Sequence, residues 1–155
     1  MPSKNPETWL LLKRIVRFGE TDSAGVMHFH HLLRWCHEAW EESLQRFGLH
    51  PSNVFPSGLQ EDKTLQVALP VVHCEGKFRS PIENGDHLKI ILLPEKIDRC
   101  GFQVHSKFQR EGKDVASGLI RHLAITVDTR QRCPLPENIN LWIEASNVNL
   151  GPKPV

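Results

Sequence analysis

The chain has 155 residues, of which 39% are hydrophobic and 24% are charged, a composition typical of one globular domain. Its 19 Lys and Arg residues nearly balance its 18 Asp and Glu residues, so the sequence does not indicate a nucleic-acid partner. The start of the chain lacks signal-peptide features and no apolar run approaches the roughly 20 residues of a membrane span, so we predict a cytoplasmic protein without a membrane partner.

The first predicted element is a strand at residues 10–18, rich in Leu, Ile and Val. A polar turn follows at residues 19–25. From Phe29 onward, apolar residues recur at steps of three and four, the pattern of a helix with one buried face. This helix is predicted to span about 19 residues, roughly 28 Å, and to end at Gly48. Residues 51–63 are rich in proline, glycine and polar residues and are predicted to form a loop.

Four further strands are predicted, at residues 65–79, 87–97, 102–110 and 115–127. Because short turns separate them, we expect an antiparallel meander. Pro70 lies inside the first of these strands and cannot donate a ladder hydrogen bond, so an edge, a bulge or a break is expected there. A short helix is predicted at residues 137–145.

These elements predict an α+β fold in which a five-stranded antiparallel sheet curls around one long helix. A helix with one apolar face needs a sheet to cover that face, and five strands are enough to do so. We expect residues 1–146 to form a single domain and residues 147–155 to form a C-terminal tail.

The sequence contains no phosphate-binding loop, dinucleotide-binding fingerprint or G-x-S-x-G elbow, which excludes three large enzyme classes. It does contain a polar turn that leads into the long helix. The first N–H groups of a helix lack internal partners and can stabilise an oxyanion, and Asp22 in this turn could act there as nucleophile or general base. The alternative is that Asp22 or Ser23 only caps the helix or tightens the turn.

Residues 16–29 (VRFGETDSAGVMHF) resemble the signature of the 4-hydroxybenzoyl-CoA thioesterase family of hotdog-fold proteins. The resemblance continues through residues 35–41 (WCHEAWE), 68–73 (ALPVVH) and 78–86 (FRSPIENGD), and it covers most of residues 10–127. Within the family, the second and third stretches are most similar to the thioesterases of the phylloquinone pathway that act on 1,4-dihydroxy-2-naphthoyl-CoA. The resemblance therefore implies a hotdog fold and a hydrolase of an aromatic acyl-CoA.

The resemblance also implies roles for residues near the turn. Asp22 would attack the thioester carbonyl or activate water, while the backbone N–H of Phe29, together with His28, would position and polarise the substrate. Some family members carry a histidine seven residues after the aspartate, but Phe29 occupies that place here, so no catalytic histidine is expected. The Phe29 ring suits an aromatic acyl group and suits a core equally well. Two alternatives stay open: a broad acyl-CoA or acyl-carrier-protein thioesterase, and a non-catalytic hotdog domain that binds CoA or a lipid.

Further candidates are charged or titratable. Glu38 could line the pocket, since another hotdog subgroup takes its carboxylate from the helix, although Glu38, Glu41 and Glu42 also fit a solvated helix face. His73 could line the pocket or be a hydrogen-bonded core histidine. The cations that could bind CoA phosphates are Lys77, Arg79 and Arg99, with Arg110 and Arg121 as further possibilities.

No metal site or cofactor is expected, since CoA is part of the substrate. The four cysteines form no C-x-x-C pair, and the histidines at positions 28, 30, 31 and 37 do not have the H-E-x-x-H spacing. The expected partners are an acyl-CoA substrate and further copies of the chain. A sheet curled around one helix leaves edges that must be covered or paired, and the resemblance implies a homo-oligomer, either a dimer or a tetramer.

Overall fold

A computed structural model of the chain describes residues 5–50, 54 and 67–147. Its helices are α1 (Glu7–Leu10), α2 (Phe29–Phe47) and α3 (Glu137–Asn147), and a 3-10 turn lies at Phe18–Glu20. Its strands are β1 (Leu11–Ile15), β2 (Val67–Ala68), β3 (Val71–Phe78), β4 (His87–Asp98), β5 (Gly101–Arg110), β6 (Lys113–Leu123) and β7 (Ile125–Thr126). The predicted loop at residues 51–63, apart from Val54, and residues 148–155 of the predicted tail lie outside the described residues. No helix in the described ranges is both long and apolar enough to cross a lipid bilayer.

Helix α2 confirms the periodicity of the sequence. It has the predicted 19 residues, from Phe29 to Phe47, and it buries the face that carries Leu32, Cys36 and Trp40. Gly48 ends the helix with a φ of 111°, a left-handed conformation that glycine adopts without steric cost. The long helix of the predicted fold is therefore confirmed.

The main sheet has five antiparallel strands in the order β1-β4-β5-β6-β3, which confirms the five-stranded antiparallel sheet. The predicted meander is wrong for one strand, because β3 pairs with β6 and not with β4. The turn before β4 makes its hydrogen bonds to the end of β1, where the Gly85 N–H donates to the Val16 carbonyl at 2.8 Å. Ile82, which precedes this turn, is buried in the core. The connection therefore carries the chain from one edge of the sheet to the other.

Pro70 interrupts the second predicted strand, as the sequence indicates. Strand β2 ends at Ala68, where it pairs with β7, and β3 begins at Val71. Strand β3 then runs along the edge of the main sheet, and all eight of its residues are exposed. The break and the edge position are both confirmed.

Small residues let α2 approach the sheet closely. A Cβ atom on Gly118 of β6 would overlap with the Sγ atom of Cys36, and a Cβ on Gly76 of β3 would lie 3.1 Å from Leu32 Cδ2. Gly76 and Gly118 are paired across β3 and β6, so together they form a shallow groove, free of side chains, that spans the two strands. Burial raises the pKa of the Cys36 thiol to about 12, so this side chain is a neutral packing group.

Helix α3 packs near the C-terminal half of α2, and two buried tryptophans fix it there. The Trp142 indole N–H donates to Ser43 Oγ of α2 at 3.0 Å, and the Trp9 indole N–H donates to Ser146 Oγ of α3 at 2.9 Å. The short helix α1, which carries Trp9, takes the place of the predicted start of the first strand. The helix predicted at residues 137–145 is confirmed and extends to Asn147.

Candidate active site

Asp22 lies in a tight turn between the 3-10 turn and α2. The Asp22 N–H donates to the Val26 carbonyl at 2.9 Å, and the Gly25 N–H returns a bond to the Asp22 carbonyl at 3.0 Å. Gly25 has a φ of 81°, which closes the turn in a conformation that favours glycine. The Asp22 carboxylate accepts one bond through Oδ1, from the Ala24 N–H at 2.8 Å, and the side chain is exposed. The turn thus presents a carboxylate at the surface.

The N-terminus of α2 follows this turn directly. His28 is the N-cap residue, and its carbonyl accepts a bond from the His31 N–H at 3.0 Å. Within the part of the chain that the structure describes, no group accepts a hydrogen bond from the Phe29 N–H. Because this N–H lies at the positive end of the helix dipole, it can donate to a developing oxyanion. Asp22 and the N–H donor predicted from the sequence therefore belong to one continuous segment.

Glu20 connects the turn with the helix. Its Oε1 atom accepts a bond from the Arg17 N–H at 2.8 Å, and its Oε2 atom accepts a bond from the Trp35 indole N–H at 2.6 Å. Its backbone carbonyl accepts the His28 N–H at 2.9 Å. One residue therefore links the end of the β1 segment, the N-cap of α2 and the second turn of α2.

Two aromatic rings flank the turn at the surface. Phe18 is 79% exposed and Phe29 is 65% exposed, although both are large apolar residues. The interpretation of Phe29 as a core residue is therefore wrong within this chain, because its ring faces away from the packed side of α2. Exposed rings beside a carboxylate and a free N–H fit contact with an aromatic acyl group or with another protein surface.

A cavity of about 960 Å³ lies next to the turn, between β1 and α2. Arg14, Arg17, Glu20, Trp35 and Glu38 contribute to its wall, together with residues of β4 and of the turn after β5. The described residues that line it do not include Asp22 or Phe29. The predicted site is thus an open surface beside this cavity in the single chain.

The helix carboxylates all contact basic side chains. Glu38 pairs with Arg34 at 2.7 Å, and Glu41 pairs with His37 at 2.6 Å. Glu42 pairs with Arg14 of β1. Burial is the largest single influence on the pKa of Glu42 and acts to raise it, but the hydrogen bonds and charges of Arg14 and Arg46 together outweigh burial, so this pKa lies below its ordinary value. Glu38 lines the cavity, as one interpretation of the sequence expects, whereas Glu41 and Glu42 are not among the described residues that line it.

The remaining candidates lie on or next to β3 and in the turn after β4. His73 on β3 is about half exposed, with Nε2 3.8 Å from a Glu75 carboxylate oxygen, so the core interpretation of His73 is wrong. Lys77 and Arg79 are exposed at the end of the edge strand β3. Arg99 is exposed in the turn after β4. This turn lies about 36 Å along the strand from the β4 end that adjoins β1, taking roughly 3.3 Å per residue. The structure therefore does not bring Arg99 together with Asp22 in one chain.

The histidines at the start of α2 contact one another. The Nδ1 atoms of His28 and His30 lie 2.5 Å apart, and the rings of His30 and His31 have centroids 3.9 Å apart. Desolvation, followed by the charges of His31, His28 and Arg34, lowers the pKa of His30. Across the described residues, no three His, Cys, Asp or Glu side chains are grouped so that they could hold a metal ion.

Known proteins are similar to this chain in sequence and in architecture. The profile of the thioesterase-like superfamily matches residues 16–143. A 1,4-dihydroxy-2-naphthoyl-CoA hydrolase from Prochlorococcus marinus (strain MIT 9303) is 57% identical over 144 residues, which cover 93% of this chain and 95% of that protein. The chain belongs to the thioesterase-like superfamily.

Solved structures of this superfamily agree with the fold. A crystal structure from Prochlorococcus marinus strain MIT 9313 matches with a TM-score of 0.86 at 56% identity, over 92% of this chain and 99% of that chain. The 1,4-dihydroxy-2-naphthoyl-CoA thioesterase of Synechocystis matches with a TM-score of 0.76 at 27% identity, over 86% of this chain and 94% of that chain. The predicted hotdog fold and the prediction of a thioester hydrolase are confirmed.

The contact between Glu20 and Trp35 is a part of the candidate site that sequence reasoning missed. The two residues are 15 positions apart, so no local pattern pairs them. One signal was available: a buried indole N–H requires a hydrogen-bond acceptor, and Trp35 lies near the apolar face of α2. That requirement points to an acceptor near the start of the helix but does not identify Glu20.

Proposed function

We propose that this chain hydrolyses 1,4-dihydroxy-2-naphthoyl-CoA to the free carboxylate and CoA, as a step of phylloquinone biosynthesis. The observation that carries the proposal is 57% identity over almost the full length of a hydrolase with this named substrate. The exposed rings of Phe18 and Phe29 beside Asp22 support an aromatic acyl group, because they offer apolar surface where that group would lie.

The proposed chemistry uses the Asp22 carboxylate and the N-terminus of α2. The Phe29 N–H, with His28 beside it, binds the thioester oxygen as it gains negative charge. Asp22 then acts in one of two ways. As a nucleophile it forms a mixed anhydride and releases the CoA thiolate, and water cleaves the anhydride afterwards; as a general base it takes a proton from the attacking water. Both routes consume one water and need no cofactor.

We further propose that the enzyme works as a homo-oligomer, a dimer or a tetramer, in the cytoplasm. Strand β3 supports this, because it is an edge strand whose exposed residues include Val71, Val72 and Phe78. A second copy paired along β3 would cover these side chains. Sedimentation at assay concentration tests the proposal, and a fully active monomer would contradict it.

For the CoA phosphates we propose Lys77 and Arg79, which are exposed near the end of β3. Arg99 lies at the far end of β4 from the Asp22 turn of its own chain. We therefore propose it as a CoA contact only to the site of a neighbouring subunit. Replacing Lys77 and Arg79 by Ala should raise KM for CoA esters and leave kcat nearly unchanged, since these contacts are the same in the ground state and the transition state.

Thiol-release kinetics on a panel of CoA esters tests the substrate. The panel contains 1,4-dihydroxy-2-naphthoyl-CoA, benzoyl-CoA and aliphatic acyl-CoA esters of several lengths, with acyl-carrier-protein esters as a separate arm. We expect the highest kcat/KM with the naphthoyl ester. Equal values across the panel would indicate a broad thioesterase, and binding of CoA esters without thiol release would indicate a non-catalytic domain.

A further inference from the structure

Glu20 occupies a central position between the two parts of the proposed machinery. It is separated from Asp22 by one residue, and its carbonyl accepts the N–H of His28, which directly precedes Phe29. The Glu20 backbone therefore connects the carboxylate turn and the oxyanion donor through one hydrogen bond and a few covalent bonds. Any rotation of this residue would move Asp22 relative to the Phe29 N–H.

The Glu20 side chain holds this backbone in one orientation. One carboxylate oxygen bonds the Arg17 N–H at 2.8 Å and the other bonds the Trp35 indole N–H at 2.6 Å. Trp35 is a buried residue of α2, so its indole is a fixed point on the helix. Because the two donors use different oxygens, both contacts require a carboxylate. A glutamine has a single acceptor oxygen and could keep only one of them.

We propose that Glu20 is a positioning residue of the hydrolysis, which sets the distance between the Asp22 carboxylate and the Phe29 N–H by binding Trp35. The inference rests on the proposed function, since Glu20 acts only through Asp22 and Phe29, which are the groups proposed to carry out the hydrolysis. Glu20 does not react with the substrate. It determines whether the two reacting groups face the same thioester carbon and oxygen.

The test is a double-mutant cycle of Glu20→Gln and Trp35→Phe, measured with 1,4-dihydroxy-2-naphthoyl-CoA. Each single variant should lower kcat about 10- to 100-fold, the loss that a displacement of about 1 Å produces, while KM stays within about threefold of the parent value. The double variant should be little worse than the poorer single variant, because both changes break the same contact. Trp35→Phe keeps the test valid if Glu20→Gln does not fold.

Trp142→Phe is the matched control. Trp142 is also a buried tryptophan that is hydrogen-bonded through its indole N–H to a side-chain oxygen, here Ser43 Oγ at 3.0 Å, but it contacts the other half of α2. This variant should lower the free energy of unfolding and leave kcat within about twofold of the parent, at a temperature where all variants are folded. A general loss of stability would affect both tryptophan variants alike.

Four results separate the possible failures. A Glu20→Gln enzyme with parental kcat, beside an inactive Asp22→Asn enzyme, overturns the positioning role and leaves the proposed function intact. An equal loss of kcat in Trp35→Phe and Trp142→Phe also overturns the positioning role, because stability would then explain both. An Asp22→Asn enzyme with full activity overturns the assignment of Asp22, and the positioning role of Glu20 with it, but leaves hydrolysis intact. Absence of thiol release by the parent enzyme overturns the proposed function itself.

Discussion

The C-terminal half of α2 and its N-terminal end contact the rest of the molecule in different ways. In the C-terminal half, Trp40 and Ser43 are fully buried, and α3 binds there through the Trp142 indole. At the N-terminal end, Phe29 is mostly exposed, the preceding turn is open to solvent, and backbone hydrogen bonds fix its shape. The same helix therefore serves as a core element at one end and as the base of a surface site at the other.

This difference indicates how stability and chemistry are separated along the helix. Burial and buried hydrogen bonds determine the free energy of unfolding, so changes in the C-terminal half should act on stability. The site needs an accessible carboxylate and an unbonded N–H. In a closed core the carboxylate would be covered and the N–H would be hydrogen-bonded. Changes at the N-terminal end should therefore act on turnover. Substitutions in each half of α2 and in its surroundings test this separation.

Asp22→Asn should have the largest effect, and on turnover alone. An amide neither attacks a thioester nor takes a proton from water, so kcat should fall about 10²- to 10⁴-fold. The free energy of unfolding should change little, because the Asn side-chain oxygen can still accept the Ala24 N–H. Thiol release and urea unfolding on the same preparation measure both quantities. Loss of activity together with loss of stability would instead make Asp22 a structural turn residue.

Mild acid should lower the free energy of unfolding, through the buried side chain of His122. This side chain is 1% exposed, stacks on Phe102 with centroids 5.1 Å apart, and places Nδ1 2.9 Å from the Leu69 carbonyl. Burial and the nearby His37 lower the pKa of His122 to about 4, and the hydrogen bond to Leu69 offsets only part of this. Because an unfolded histidine has a pKa near 6.5, the unfolded state binds the extra proton below that pH.

The free energy of unfolding should therefore fall as the pH decreases from about 6.5 to about 4, by up to about 3 kcal/mol from His122. Urea unfolding at several pH values in this range measures the slope. His122→Phe should flatten the slope, since the phenyl ring does not titrate. An unchanged slope in this variant would show that other histidines, such as those at the start of α2, determine the acid sensitivity.

Gly118→Ala should destabilise the contact between α2 and the sheet. The new methyl group would overlap with the Cys36 sulfur, and neither the strand nor the helix can move freely, so we expect a loss of about 2–3 kcal/mol. Cys36→Ala removes the sulfur and should restore part of this loss in the double variant. Gly76→Ala is the control, because the closest atom to its methyl group would be the end of the flexible Leu32 side chain at 3.1 Å, and its other neighbours would lie at 3.6 Å or more. Equal losses at both glycines would contradict this account.

Local patterns in the sequence predicted the elements better than their arrangement. Periodicity and Gly48 determined the bounds of α2, and Pro70 located a strand break. Turn signals did not predict the order of the strands, because the segment between β3 and β4 does not close a hairpin and instead makes hydrogen bonds to the end of the β1 segment. The Asp22 turn was found from its motif. The partners of the buried indoles were not found, because Trp142 and Ser43 are 99 residues apart and only the folded chain brings them together.

Ser43→Ala should have the smallest effect, and on stability alone. The change removes the acceptor of the Trp142 indole N–H in a fully buried place, which should lower the free energy of unfolding by about 1–2 kcal/mol. In the double variant with Trp142→Phe the losses should not add, because either change breaks the same hydrogen bond. Values of kcat should stay within about twofold of the parent in all three variants. If kcat falls in step with stability, the two ends of α2 are coupled, since a change confined to the buried half would then have moved the Asp22 turn.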